Sequence, residues 1–129
     1  MEALMSENKH LLIVDDEEYV RLLYREELEN EGYSVATSDG QENILEVLKR
    51  ENPDVVILDI KLGINRSGLD LLQEIRSKDR NIPVILCTAY DAYQHDYKTV
   101  AADYYVIKSV DMSELKEKIS LAIAKSEKS

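Results

Sequence analysis

Asp15, Asp16, Asp59, Thr88 and Lys108 each stand at the end of a short apolar run: LLIV before Asp15-Asp16, VVIL before Asp59, VILC before Thr88 and YYVI before Lys108. Gathered at one point, three carboxylates, a hydroxyl and an ammonium make a site for a hard cation and a phosphoryl group. Two like charges about 4 Å apart at an effective dielectric of about 20 repel by about 4 kcal/mol, so crowded acids favour a divalent ion between them. Oxygen donors without His or Cys suit a hard ion. A set with few carboxylates and room for water and phosphate suits Mg²⁺ better than Ca²⁺, whose loops space their ligands more densely. A carboxylate beside such an ion can attack phosphorus and become an acyl phosphate while the metal and a nearby ammonium neutralise the spreading charge. Asp59 is the candidate nucleophile and Lys108 its counter-charge.

The elements that must position these residues follow from periodicity. The apolar runs are short, continuous and β-branched, as strands covered on both faces are, and the segments between them have helical spacing. Strands are predicted at His10 to Val14, Ser34 to Thr37, Val55 to Leu58, Val84 to Cys87 and Tyr104 to Ile107. Strand and helix alternate, which implies a parallel sheet. In open doubly wound sheets ligands bind beyond the carboxyl ends of the strands, where all five candidate residues fall.

The first helix, residues 17–31, places Val20, Leu23, Tyr24 and Leu28 on one face, and Gly32 ends it. The second has Ile44, Val47 and Leu48 inside and stops at Asn52-Pro53. The third is built on Leu69, Leu72 and Ile75. The fourth, residues 91–101, has a thin apolar face and is rich in tyrosine, which predicts a marginal helix able to shift. The last opens with Asp111-Met-Ser-Glu114, an Asp-initiated capping box, and buries Leu115, Ile119, Ala122 and Ile123.

At 129 residues the chain has room for one core. The expected organisation is an arm at 1–8, a domain at 9–125 and a solvated tail at 126–129. Acidic residues outnumber basic ones by 26 to 16, for a net charge of -10, and no basic stripe is present. Neither a nucleic acid nor an anionic membrane is an expected partner. The apolar runs are far shorter than a membrane span and the acidic start is unlike a signal peptide, so the expected location is cytosolic. Cys87, the single cysteine, falls in a predicted buried strand and reads as a small core residue. His10 and His95 lack acidic or thiol partners at ligand spacing and read as surface residues.

These motifs resemble the receiver domain of two-component response regulators over about residues 9 to 125. The resemblance rests on the acid pair after the first strand, the aspartate after the third, Thr88-Ala89 after the fourth, Lys108 after the fifth and Tyr105 three residues before that lysine. It implies a flavodoxin-like doubly wound sheet of order 2-1-3-4-5. By the same resemblance, Asp59 accepts phosphate from a histidine kinase or histidine phosphotransfer protein. Asp16 binds Mg²⁺ directly, Asp15 does so directly or through water, and Asp59 and the Lys61 backbone carbonyl supply further ligands. Thr88 and Lys108 hold phosphoryl oxygens, and Tyr105 swings inward as Thr88 moves. The fourth helix, fifth strand and fifth helix then present a changed surface to a downstream protein, an output domain outside this chain, or a second copy. The resemblance implies a phosphoacceptor regulator whose only catalysis is Mg²⁺-dependent self-phosphorylation and self-dephosphorylation.

The chain departs from the family pattern in three places. The segment after the acceptor, Leu62-Gly63-Ile64-Asn65-Arg66-Ser67-Gly68, has glycine at the usual proline site and one extra residue, which predicts a mobile loop. Ser109 replaces the proline after the lysine, leaving the geometry of the Lys108–Ser109 bond open. Tyrosines at 90, 93, 97, 104 and 105 crowd the signalling face, either as packing or as partner anchors. Lys61 and Tyr90 occupy the positions where this family tunes phosphate loss. The competing reading is a receiver-like interaction module independent of phosphorylation. An aspartate-nucleophile phosphatase needs an acid where Lys61 stands, and a flavin carrier needs a Ser/Thr/Gly phosphate loop where Asp15-Asp16 stand.

Overall fold

The computed structural model describes residues 9–89, 93 and 95–127. The arm expected at 1–8, Tyr90 and the start of the predicted fourth helix lie outside these residues. Parallel strands β1 (His10–Val14), β2 (Ser34–Ser38), β3 (Val55–Leu58), β4 (Val84–Thr88) and β5 (Tyr104–Ile107) form one sheet of order β2-β1-β3-β4-β5. Helices α1 (Glu18–Asn30), α2 (Ile44–Glu51), α3 (Gly68–Lys78) and α4 (Ser113–Glu127) cover it.

The two-residue repeat of a strand splits the core into two layers. Leu11 and Ile13 of β1 face Tyr24 and Leu28 of α1 and Ile119 of α4. Leu12 and Val14 face Val47 of α2 and Leu72 and Ile75 of α3. Both sides of β1, β3 and β4 are therefore buried, which is why these strands read as unbroken apolar runs. The chain passes from β1 outward to β2 and returns across β1 to β3, so the winding reverses between β1 and β3. Asp15 and Asp59 sit at the ends of those two strands.

Helix boundaries follow local chemistry. Asn43 caps α2 by accepting from the N–H groups of Leu45 and Glu46, and Asn52 ends it in the left-handed region at φ 46° before Pro53. Gly32, at φ 100°, closes α1 as expected. Leu23 was expected inside but is 44% exposed. The buried positions Val20, Tyr24 and Leu28 are four apart, and one residue of an α-helix turns about 100°, so Leu23 falls on the flank.

The capping box expected at Asp111 does not form. Helix α4 begins at Ser113, with Lys116 N–H bonded to the Met112 carbonyl, so Glu114 is one position too early to reach back. Asp111 instead accepts from the Ser113 N–H at 2.8 Å, while its own N–H donates to Ser109 Oγ at 3.2 Å. The helix continues through Glu127, into the stretch expected as tail.

The described part of the predicted fourth helix is not an α-helix but a 3₁₀ turn, Tyr97–Ala101, opened by Asp96, whose carboxylate accepts from the Lys98 N–H. None of its residues is buried, so no apolar stripe supports a longer helix. Arg76 of α3 holds its end: the guanidinium donates to the carbonyls of Ala101 at 2.8 Å and Ile82 at 2.6 Å, and to Asp103 Oδ2 at 3.2 Å. Arg76→Ala is expected to cost about 2 kcal/mol in urea unfolding, because charge-assisted bonds are lost and the carbonyls they satisfied are left bare.

His10 is also corrected. It is half-buried, with Nδ1 2.9 Å from Ser34 Oγ and Nε2 3.1 Å from Glu51 Oε1. The partner comes from α2, 41 residues on, beyond any ligand spacing readable along the chain. The hydrogen bond from His10, with help from Arg50, holds the Glu51 carboxyl below its ordinary range. His95 is exposed as expected. Cys87 is buried in β4, and burial pushes its thiol up to about 12, so it remains protonated and inert. No helix among the described residues is long and apolar enough to cross a membrane.

Candidate functional site

The sheet ladder continues one residue past each strand end and so sets the site. Asp15 N–H bonds the Ser38 carbonyl, Asp59 N–H the Val14 carbonyl and Lys108 N–H the Thr88 carbonyl, at 3.0, 3.0 and 2.7 Å. Fixed backbones bring their side chains together. Lys108 Nζ lies 2.7 Å from Asp15 Oδ2 and 2.9 Å from Asp59 Oδ2, with Glu17 Oε1 at 3.7 Å. Asp15 and Asp59 are 3% and 5% exposed. Asp15 Oδ1 accepts the Glu17 N–H at 2.9 Å, a short side-chain turn that leads the chain from β1 into α1. Asp59 Oδ1 accepts the Ile60 N–H at 2.7 Å.

Burial opposes the charges of Asp15 and Lys108. It raises the Asp15 carboxyl above its ordinary value, against the hydrogen bonds from Lys108 and the Glu17 amide. It also works against the Lys108 ammonium, but hydrogen bonds and charge from Asp15 and Asp59 outweigh it and hold this lysine above its ordinary range. The lysine is thus a fixed cation shared by two buried acids.

A cleft of about 340 Å³ opens over this group, lined by Asp16, Glu17, Asp59, Lys61, Gly63, Ala89 and Lys108. Asp59 lines the cleft, and Asp15 is tied to it through the Lys108 ammonium that the two share. A larger groove of about 450 Å³, between α2 and α3, lies at the opposite ends of the strands beside Pro53 and Pro83, away from the carboxylates.

Asp15, Asp16 and Glu17 each offer one oxygen, all within 4.8 Å of one another. With Asp59 they outnumber the single ammonium at their centre. An all-oxygen donor set with surplus negative charge fits a hard divalent cation such as Mg²⁺. Asp59 joins the acids through Lys108 rather than as a member of that trio. Glu17 was not among the residues singled out from the sequence; its signal was the unbroken run Asp15-Asp16-Glu17, masked because an acid there also suits the first turn of a helix.

Thr88 is wholly buried, and among the described residues its hydroxyl is the one buried side-chain polar atom without a hydrogen-bond partner. Leaving such a group unpaired costs about 1 to 3 kcal/mol, so it stands ready for an incoming acceptor. Tyr105, half-buried on β5 beside Leu86 in register, packs with the α2–α3 layer. Tyr104 packs into the other layer beneath Lys118, whose Nζ lies 5.6 Å from the ring centre. No peptide bond among the described residues is cis, so Lys108–Ser109 is trans. The loop expected to be mobile is pinned: Lys61 pairs with Ser67 in an antiparallel bridge, and Leu62 is fully buried.

The family model "Response regulator receiver domain" matches residues 11–120. The chain is 44% identical to the response regulator TrrA of Thermotoga maritima, solved in complex with Mg(2+)-BeF; the match covers 88% of this chain and 98% of that one, with a TM-score of 0.84. TrrA in complex with the histidine kinase ThkA matches at 45% identity, 89% and 98% coverage and a TM-score of 0.77. Sporulation initiation phosphotransferase F of Bacillus subtilis is 31% identical over 114 residues, 87% of this chain and 91% of that protein. The probable transcriptional regulatory protein TcrX of Mycobacterium tuberculosis is 35% identical over 107 residues, 81% of this chain and 45% of that protein. The chain spans about half the length of TcrX and of several other curated relatives. With the 2-1-3-4-5 sheet and the carboxylates at its winding reversal, these matches establish that the chain belongs to the response regulator receiver domain family of two-component systems.

Proposed function

We propose that this chain is a phosphorylation-controlled switch of a cytoplasmic phosphorelay, accepting a phosphoryl group on Asp59 from a histidine kinase or histidine phosphotransfer protein. The observation that carries the reading is Lys108 Nζ held between Asp15 and Asp59 at the floor of an open acidic cleft. Asp59 is the buried carboxylate that lines the cleft, so it is the one a phosphodonor can reach. Asp15, Asp16 and Asp59, with the Lys61 backbone carbonyl, would hold Mg²⁺, and Glu17 stands close enough to Asp15 and Asp16 to join them directly or through water. When bound, that ion neutralises charge on the phosphoryl oxygens.

In the transfer, an Asp59 oxygen attacks phosphorus, an O–P bond forms as the donor's N–P bond breaks, and the electron pair leaves with the imidazole, which takes up a proton. Lys108 exchanges its bond to Asp59 for one to a phosphoryl oxygen. The orphaned Thr88 hydroxyl donates to another. Because Thr88 and Tyr105 lie on adjacent strands, movement of the first frees space for the second. The 3₁₀ segment carries no buried residue to resist the change. The surface of that segment, β5 and α4 then alters for a protein target, an output domain elsewhere or a second copy of the chain.

Incubation with Mg²⁺ and acetyl phosphate, followed by intact-mass measurement, tests this directly. The unmodified chain is expected to gain one phosphoryl group and Asp59→Asn none. No gain in the unmodified chain, or an equal gain in Asp59→Asn, would overturn the assignment and favour an interaction module without phosphate chemistry.

A further inference from the structure

The loop from Lys61 to Ser67 has little stiffness of its own. It lacks proline, and Gly63 sits at φ 88°. It is held from outside by two side chains that cross between loops in opposite directions. From the β2–α2 connection, Gln41 Nε2 donates to the Leu62 carbonyl at 3.0 Å. From the β3–α3 loop, Arg66 Nε donates to the Gly40 carbonyl at 2.8 Å and its Nη2 to the Glu42 carbonyl at 3.0 Å, on either side of Gln41. Crossed donors resist both sliding and separation of the two loops.

The backbone between them is closed as well. Leu62 N–H bonds the Arg66 carbonyl at 3.2 Å. The buried Leu62 side chain packs so tightly under Gly40 that a Cβ there would lie 3.0 Å from it. Lys61 is thus bounded on its far side by the Ser67 bridge, on its carboxyl side by a buried leucine, and beyond that by the two crossing donors. Neither Arg66 nor Gln41 lines the acidic cleft, so any effect on it must travel through this loop.

We propose that Arg66 and Gln41 are positioning residues of the acceptor site: by locking the β3–α3 loop to the β2–α2 connection they hold the Lys61 carbonyl where a divalent cation beside Asp15 and Asp16 meets it. This rests on reading Asp59 as a metal-dependent phosphoacceptor. Groups that orient a metal ligand without touching the metal change its affinity by about 10- to 100-fold. The crossed donors replace, with side chains, the rigidity that a proline in the loop would supply.

Mg²⁺ titration of the full chain by calorimetry, without phosphodonor, tests the assignment. Arg66→Ala is expected to weaken Mg²⁺ binding about tenfold, and Gln41→Ala, which removes one of three bonds, by less. Arg66→Lys keeps the charge but loses the planar fork, so its affinity falls between Arg66→Ala and the unmodified chain. The Leu62 and Gly63 amides exchange with solvent faster in all three variants. Arg76→Ala, which loosens a separate part of the fold, serves as control and should stay within about twofold of the unmodified chain.

Arg66→Ala and Gln41→Ala both within about twofold of the unmodified chain would overturn the proposal, as would an equal loss in Arg76→Ala. If Arg66→Ala does not fold, the exposed Gln41 decides alone. Failure of the unmodified chain to bind Mg²⁺ would instead strike the phosphoacceptor reading itself.

Discussion

Lys108→Met is expected to destabilise the metal-free protein at neutral pH by about 3 to 4 kcal/mol. Removing one member of a buried ion pair strands the other as an uncompensated charge, typically at about 3 to 5 kcal/mol. Here two carboxylates lose their common partner, Asp15 at 2.7 Å and Asp59 at 2.9 Å. Asp59 lines the open cleft, which places the expected loss at the lower end. Urea unfolding with an unchanged slope measures it.

The pH dependence has a definite sign. The folded Lys108 ammonium is held above its ordinary value of 10.5, so its contribution is whole below that pH and disappears as pH rises through the higher folded value. The unmodified protein therefore shows an alkaline loss of stability that Lys108→Met lacks. In the variant the deficit shrinks as pH falls, because Asp15, already raised by burial, takes up a proton and ceases to be a bare charge. Mg²⁺ should stabilise the variant more than the unmodified protein, since it binds the native acids and not the unfolded chain. A neutral-pH difference below about 1 kcal/mol, the range of an exposed pair, would show that Lys108 does not compensate the buried acids.

Gly68→Ala carries the second large effect, about 3 kcal/mol of lost stability. A Cβ at this position would overlap the backbone carbonyl oxygen of Asp59 and come within 3.0 Å of Ile60 Cα. The obstacle is backbone and cannot rotate aside. The Gly68 N–H meanwhile donates to the Ile60 carbonyl at 2.6 Å, binding the first residue of α3 to the residue after Asp59. At an unconstrained helix start the same substitution would stabilise by up to about 1 kcal/mol, so the sign itself is diagnostic. Overpacking a tight site costs about 1 to 3 kcal/mol, and an immovable neighbour puts this case at the top of that range. Because the displaced atom belongs to Asp59, phosphoryl gain from acetyl phosphate should slow as stability falls. A variant as stable as the unmodified chain would refute the close approach.

Strands β1, β3 and β4 were legible because burial on both faces leaves a continuous apolar run that needs no partner to be recognised; β2 and β5, at the sheet edges, were read from their short β-branched or aromatic runs between helical segments. The positions of the candidate site residues were legible for a related reason. A charged or hydroxyl residue immediately after such a run must stand at the rim of the sheet, so Asp15, Asp59, Thr88 and Lys108 could be placed without coordinates. The fourth helix misled because its polar, tyrosine-rich sequence has no apolar stripe to fix its form, and packing against Arg76 settled a 3₁₀ turn at its end. Leu23 and the capping box misled by one position each, a shift that hydrophobic spacing alone does not resolve.

By itself the sequence determined the alternation of strand and helix, the parallel sheet and which residues stand at its carboxyl rim, all written in local periodicity. Only the tertiary structure decided how those residues share their charges. Lys108 serves Asp15 and Asp59 together, Glu17 joins the acid group, the Thr88 hydroxyl is left alone, and Arg66 and Gln41 cross between loops. These contacts join residues 21 to 49 positions apart in the examples of Gln41–Leu62 and Asp59–Lys108. Their geometry is set by strand register and sheet winding, which no repeat along the chain records.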